Sequence, residues 1–232
     1  MVPSDSQRPR VRISIVLAVI ACAAMLAVAP WRSAGAQADS HMHMSMNGGA
    51  PITARELAFR NGMRLLWEQH VAWTRLAIVS FAGGLPDLQA TEGRLLRNQV
   101  DIGNAVKPFY GAAAGDRLTG LLRTHILIAV DILVDAKAGH QHALNHDLKR
   151  WYGNANQIVA FLHRANPHNW PLRAMRQMMH RHLKLTTAEA VAQLGGRYPA
   201  SIAAYDRVEH EILGMADMLS IGIIQQFPHR FS

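Results

Sequence analysis

Leu66-Trp67-Glu68-Gln69-His70 opens a mostly apolar run that closes at Gly83-Gly84. The pattern returns as Leu122-Arg123-Thr124-His125, an apolar run and Gly139, and again as Met179-His180-Arg181-His182, a helical run and Gly195-Gly196. From histidine to last glycine the step is fourteen residues each time: 70 to 84, 125 to 139, 182 to 196. The histidines lie 55 and 57 residues apart, a weak internal repeat of about 55 residues. A helix carrying one histidine, a glycine stop and a returning helix make an αα-hairpin. Three such units predict an all-α six-helix bundle.

The apolar spacing places the helices at about 53–82, 87–107, 114–138, 141–165, 171–195 and 199–226. Thr53 with Glu56 three residues on has capping-box spacing, and Pro108 is expected to stop the second helix. At 100° per residue, Phe59, Met63, Leu66, His70, Trp73, Ala77 and Phe81 share a face of the first helix, with Arg64, Glu68 and Arg75 opposite. Leu118, Leu121, Leu122, His125, Ala129 and Ile132 share a face of the third, and Met175, Met178, Met179, His182, Thr186 and Glu189 one of the fifth. Leu88, Leu95, Ile102 and Val106 form the seam of the second helix, with Asn98, Asp101, Asn104 and Lys107 as a polar flank open to solvent or to a ligand.

Each histidine is therefore central on an apolar face, where a lone histidine is ordinarily a hydrogen-bonded core residue with a pKa lowered by desolvation. Convergence of all three gives a different chemistry. Three imidazoles bind Zn(II) or copper and leave a fourth position open, for which Glu189, two turns beyond His182, is the candidate. His142 and His146, four apart, form a further surface pair.

The N-terminus carries a second signal. Arg8, Arg10 and Arg12 precede the apolar segment 13–29, and Ala36-Gln37-Ala38 is a small-x-small cleavage site. Residues 1–38 read as a secretory signal peptide, which makes the mature protein periplasmic or secreted. A membrane role enters only if that segment stays uncleaved, since seventeen apolar residues are at the lower limit for a span. Val19-Ile20-Ala21-Cys22 fits a lipoprotein box superficially, but the apolar run continues well past Cys22. Cleavage removes this single cysteine, so neither disulfide nor thiolate chemistry is expected.

Residues 39–51 then form a polar leader ahead of the bundle domain, 52–232. A new terminus Asp39-Ser40-His41 offers an amine, two amides and an imidazole to square-planar Cu(II). His41, Met42, His43, Met44 and Met46 alternate imidazole and thioether, a soft set suited to Cu(I).

Of 24 basic and 16 acidic residues, four arginines and one aspartate fall in 1–38, leaving a modest +5 on the mature chain. No basic stripe interleaves with aromatics, so nucleic acid is not an expected partner. Catalytic signatures are missing: no Glu-x-x-His pair on two helices, no Gly-x-Ser-x-Gly and no His-Glu-x-x-His, so a non-enzyme is favoured.

The runs Leu66 to His70, Leu96 to Ala105, Lys107 to Gly111 and Met215 to Leu219 through Pro228 resemble an uncharacterised family of small exported bacterial all-helical proteins with no assigned activity. The resemblance spans roughly 57–231 and implies export without assigning a catalytic residue. Enzyme labels such as glycosyltransferase, carried by some relatives, find no βαβ pattern, Gly-rich phosphate turn or Asp-x-Asp here. Two functions follow as expectations. One is binding of copper or another transition metal by the leader and the core histidines. The alternative is a bundle of the cell envelope that binds a small molecule or a partner protein without metal.

Overall fold

A computed structural model describes residues 51–232. Six helices follow one another: α1 (Ala54–Gly83), α2 (Leu88–Tyr110), α3 (Ala112–Ala138), α4 (Gln141–Ala165), α5 (Leu172–Leu194) and α6 (Tyr198–Gln226), with a 3-10 turn at Pro228–Arg230. There is no strand among the described residues, and the chain is an all-α bundle. Each helix packs on the next, and α6 packs back on α1, so the bundle closes. The signal segment and the leader residues His41, Met42, His43, Met44 and Met46 lie outside the described residues. Among the described ones no helix is long and apolar enough to cross a membrane.

The glycines of the repeated pattern stop three helices by one device. Gly84, Gly139 and Gly196 have φ of 63°, 75° and 69°, the left-handed region that a side chain disfavours. In each case the next residue donates its N–H to a carbonyl five residues back: Leu85 to Ser80, His140 to Asp135, Arg197 to Ala192. This is the Schellman closure, which satisfies carbonyls that the helix end leaves free. At the other end of α1, Thr53 and Glu56 form the expected capping box.

Two helices approach more closely than side chains permit. A Cβ on Gly103 would lie 2.7 Å from the Gly115 carbonyl oxygen, and one on Gly115 would lie 2.6 Å from that of Gly103. These two glycines let the backbones of α2 and α3 touch. Trp170 is buried against Gly222, and Asn166 Nδ2 donates to the Gly222 carbonyl at 2.8 Å, which ties the α4–α5 turn to α6.

Three expectations need correction. Pro108 does not stop α2, which continues to Tyr110. The carbonyl that the missing N–H leaves free belongs to Asn104, an exposed residue, so water can serve it. Asn98 is no solvated flank: it is fully buried and donates Nδ2 to the Leu66 carbonyl of α1 at 3.0 Å. Trp67, left off the inner face of α1, is in the core, while Trp73 and Phe81 are only half-buried.

Candidate functional site

The odd-numbered helices carry the histidines inward. His70 on α1, His125 on α3 and His182 on α5 are each 4–5% exposed. The rings of His70 and His182 lie 5.9 Å apart, centroid to centroid, inclined at 42°. His125 is near enough that its charge would disfavour protonation of both others. Trp67 packs edge-on against His70 at 5.8 Å, and Trp151 stacks on His125 at 5.1 Å. The three sequence-predicted histidines thus share one region of the interior.

The hydrogen bonds fix two tautomers. Asn154 on α4 donates Nδ2 to the Leu121 carbonyl at 3.1 Å, which turns its Oδ1 toward His125. His125 Nδ1 lies 2.8 Å from that oxygen and must carry the proton, leaving the lone pair on Nε2. Gln99 on α2 donates Nε2 to the Leu95 carbonyl at 2.9 Å and to His70 Nδ1 at 3.2 Å. His70 Nδ1 is then an acceptor, and its proton sits on Nε2. His182 differs from both: its Nδ1 is buried with no partner.

Burial keeps all three rings neutral. Desolvation, with a smaller contribution from His125, pulls His70 down to about 3. Desolvation lowers His125 to about 4, while the Asn154 bond resists. His182 falls well below its ordinary value through burial, then through His70 and His125. A neutral imidazole has a free electron pair, the form that binds a metal or accepts a hydrogen bond.

Other polar atoms in this core also lack partners: Trp67 Nε1, Gln99 Oε1 and Thr186 Oγ1, one turn beyond His182. Buried polar groups are nearly always paired, so such a group close to the histidines marks a place suited to a bound polar species. Thr186 stands apart from Thr74, Thr124 and Thr187, whose hydroxyls donate to the carbonyl four residues back.

Glu189 is placed elsewhere than the expected fourth position. It is 1% exposed and accepts from Arg75 Nη1 at 2.9 Å; Arg75 also reaches Ser201 Oγ and lies over the Tyr205 ring. Burial raises Glu189 to about 7 against the pull of Arg75. The helical wheel put Glu189 on the histidine face of α5, but Arg75, half a turn off that face on α1, reaches it first. Among the described residues no group of three or more His, Cys, Asp or Glu side chains stands ready to hold one ion. The rings share a region without converging their nitrogens on a point. On the surface, His146 pairs with Asp147 at 3.0 Å.

Sequence reading missed the groups behind the rings. Gln99 lies 29 residues past His70, and Asn154 lies 29 past His125. The signal was present: Gln99 is four residues after buried Leu95, and Asn154 is three after buried Trp151, so helical spacing puts both inside.

Comparison of the chain with protein-family models, with curated proteins and with solved structures gives no match.

Proposed function

We propose that this chain is an exported helical bundle that binds one transition-metal ion, Zn(II) or copper, among His70, His125 and His182, with a second, copper-selective site in the leader. The observation that carries the reading is the nearness of three buried, neutral imidazoles, one of which already has its Nδ1–H held by a carbonyl oxygen. A metal-bound histidine ordinarily donates its other N–H in this way, which fixes the ring and sharpens its basicity. Imidazole suits zinc and copper, and three of them leave one position for an outside ligand. His70 would serve as a ligand in its other tautomer, with the proton on Nδ1, where Gln99 Oε1, buried without a partner, can accept it, and the pair on Nε2 free.

The leader reading rests on the sequence of residues 39–46 and on export, which exposes the new amine. The mature protein should take up Cu(II) there, with one equivalent blocked by N-terminal acetylation. Unchanged uptake after acetylation contradicts the amine-terminal site.

For the core, elemental analysis of protein purified without chelator is the direct test. Metal present in the wild type and lost in His125→Ala, with helicity retained, supports the reading. Equal metal in both contradicts it.

A second reading draws on the unpartnered Trp67 Nε1, Gln99 Oε1 and Thr186 Oγ1, which offer donors and acceptors to a small polar molecule without metal. Native mass spectrometry separates the two: an organic mass retained after chelation favours the molecule, and a mass difference of one ion favours the metal.

A further inference from the structure

The 29-residue step that links His70 to Gln99 and His125 to Asn154 leads, from His182, to Glu211. Glu211 lies on α6, the partner of α5, as Gln99 lies on the partner of α1 and Asn154 on that of α3. It is buried like the other two, at the limit of burial. In two hairpins the residue at this step touches Nδ1 of the histidine. In the third it does not: Glu211 Oε2 takes Arg181 Nε at 2.7 Å, and His182 Nδ1 is left buried and alone.

We propose that Glu211 is the positioning residue for His182, and that its carboxylate leaves Arg181 to accept the His182 Nδ1–H, so completing the set of groups that orient the three imidazoles. The inference rests on the metal reading of the core.

The exchange replaces one partner of the buried carboxylate with another. Arg181 is largely exposed while Glu211 is buried, so the guanidinium is already solvated and its return to water is cheap once the carboxylate has another partner. A buried imidazole N–H without an acceptor carries a full desolvation penalty. The arginine loses little by returning to solvent, while His182 gains its missing partner. Glu211 stands fifteen residues past Gly196, as Gln99 and Asn154 stand fifteen past Gly84 and Gly139, so it occupies the register from which the other two reach Nδ1. With Nδ1–H held by a carboxylate, the free pair of His182 lies on Nε2, as it does on His125. A carboxylate behind a metal-bound imidazole is a recurring second layer of zinc sites, and its loss lowers metal affinity by about 10–100-fold.

The test uses the full mature chain labelled with ¹⁵N-histidine. In metal-free Arg181→Met, the freed carboxylate should pair with His182, and a strongly downfield Nδ1–H resonance should appear that vanishes in Arg181→Met/Glu211→Gln. In Glu211→Gln alone, the zinc dissociation constant should rise about 10–100-fold with helicity unchanged. If no such resonance appears in Arg181→Met and Glu211→Gln binds zinc like the wild type, the proposal is overturned. If the resonance appears but the wild type takes up no zinc, the pairing stands and the metal reading of the core fails. If zinc binds normally to Glu211→Gln although the resonance is present, Glu211 does not position a ligand and the proposal is overturned.

Discussion

The imidazole of His70 on α1 lies 5.9 Å from that of His182 on α5, two residues 112 positions apart. Helices joined by a hairpin meet through short loops; these two meet because the bundle closes on itself, α6 against α1. Closure thus brings the His70 and His182 rings together, while His70 and His125 also bond within their own hairpins.

Stability of the metal-free protein should fall on acidification. Below 6.5 the unfolded chain protonates its histidines, while folded His70 and His125 resist to about 3 and 4 and His182 is lowered too. The unfolded state then binds more protons, so stability is full above 6.5 and is lost as pH falls toward 4. Each histidine adds a slope of up to about 1.4 kcal/mol per pH unit. Urea melts between pH 7 and 4.5 should show this, and replacement of His125 by Gln should reduce the slope.

Glu189 works in the opposite direction. Its folded value of about 7 exceeds the ordinary 4.5, so the folded chain holds a proton there that the unfolded chain has released. That contribution is present below 4.5 and is lost as pH rises through 7. Between 4.5 and 6.5 it offsets one histidine. Glu189→Gln should therefore steepen the acid loss of stability, read in the same melts; a shallower slope counts against the assignment.

Asn154 satisfies two buried groups at once, His125 Nδ1 and the Leu121 carbonyl. Asn154→Ala orphans both, at a cost of about 1–3 kcal/mol for each. Asn154→Asp keeps the acceptor for His125 and loses the donor to Leu121. Denaturation midpoints should rank the wild type above Asp and Asp above Ala at pH 5, where a partly protonated aspartate costs least.

Gly103→Ala should destabilise by about 1–3 kcal/mol, since its Cβ would meet the Gly115 carbonyl oxygen at 2.7 Å and α2 and α3 would have to part. Gly93→Ala, in the same helix with nothing within 4 Å of its Cβ, should be neutral or slightly stabilising. Thermal unfolding of the two variants distinguishes close approach from simple helix propensity.

Periodicity made the helices legible, and the fourteen-residue step to glycine located three of the stops, because a left-handed helix end is a property of single residues. The inward direction of the three histidines was legible for the same reason. Partner choice was not. A helical wheel gives an angle on one helix and says nothing of what the neighbouring helix brings, so Glu189 looked free until Arg75 was seen to hold it. Asn98 looked solvated because polar residues usually are, and only its bond to Leu66 across α1 and α2 explains its burial. Pro108 looked like a stop because a lost hydrogen bond matters in a buried turn, and this one faces solvent.

His70, His125 and His182 are proposed to hold one metal ion together. X-ray absorption at the zinc edge, on mature wild-type chain loaded with one equivalent, addresses it most directly when paired with the His70→Ala, His125→Ala and His182→Ala variants. About three imidazole nitrogens at ~2.0–2.1 Å are expected in the wild type, and one fewer bound zinc in every variant. Zinc uptake and ligand shell unaltered by all three substitutions would contradict the proposal.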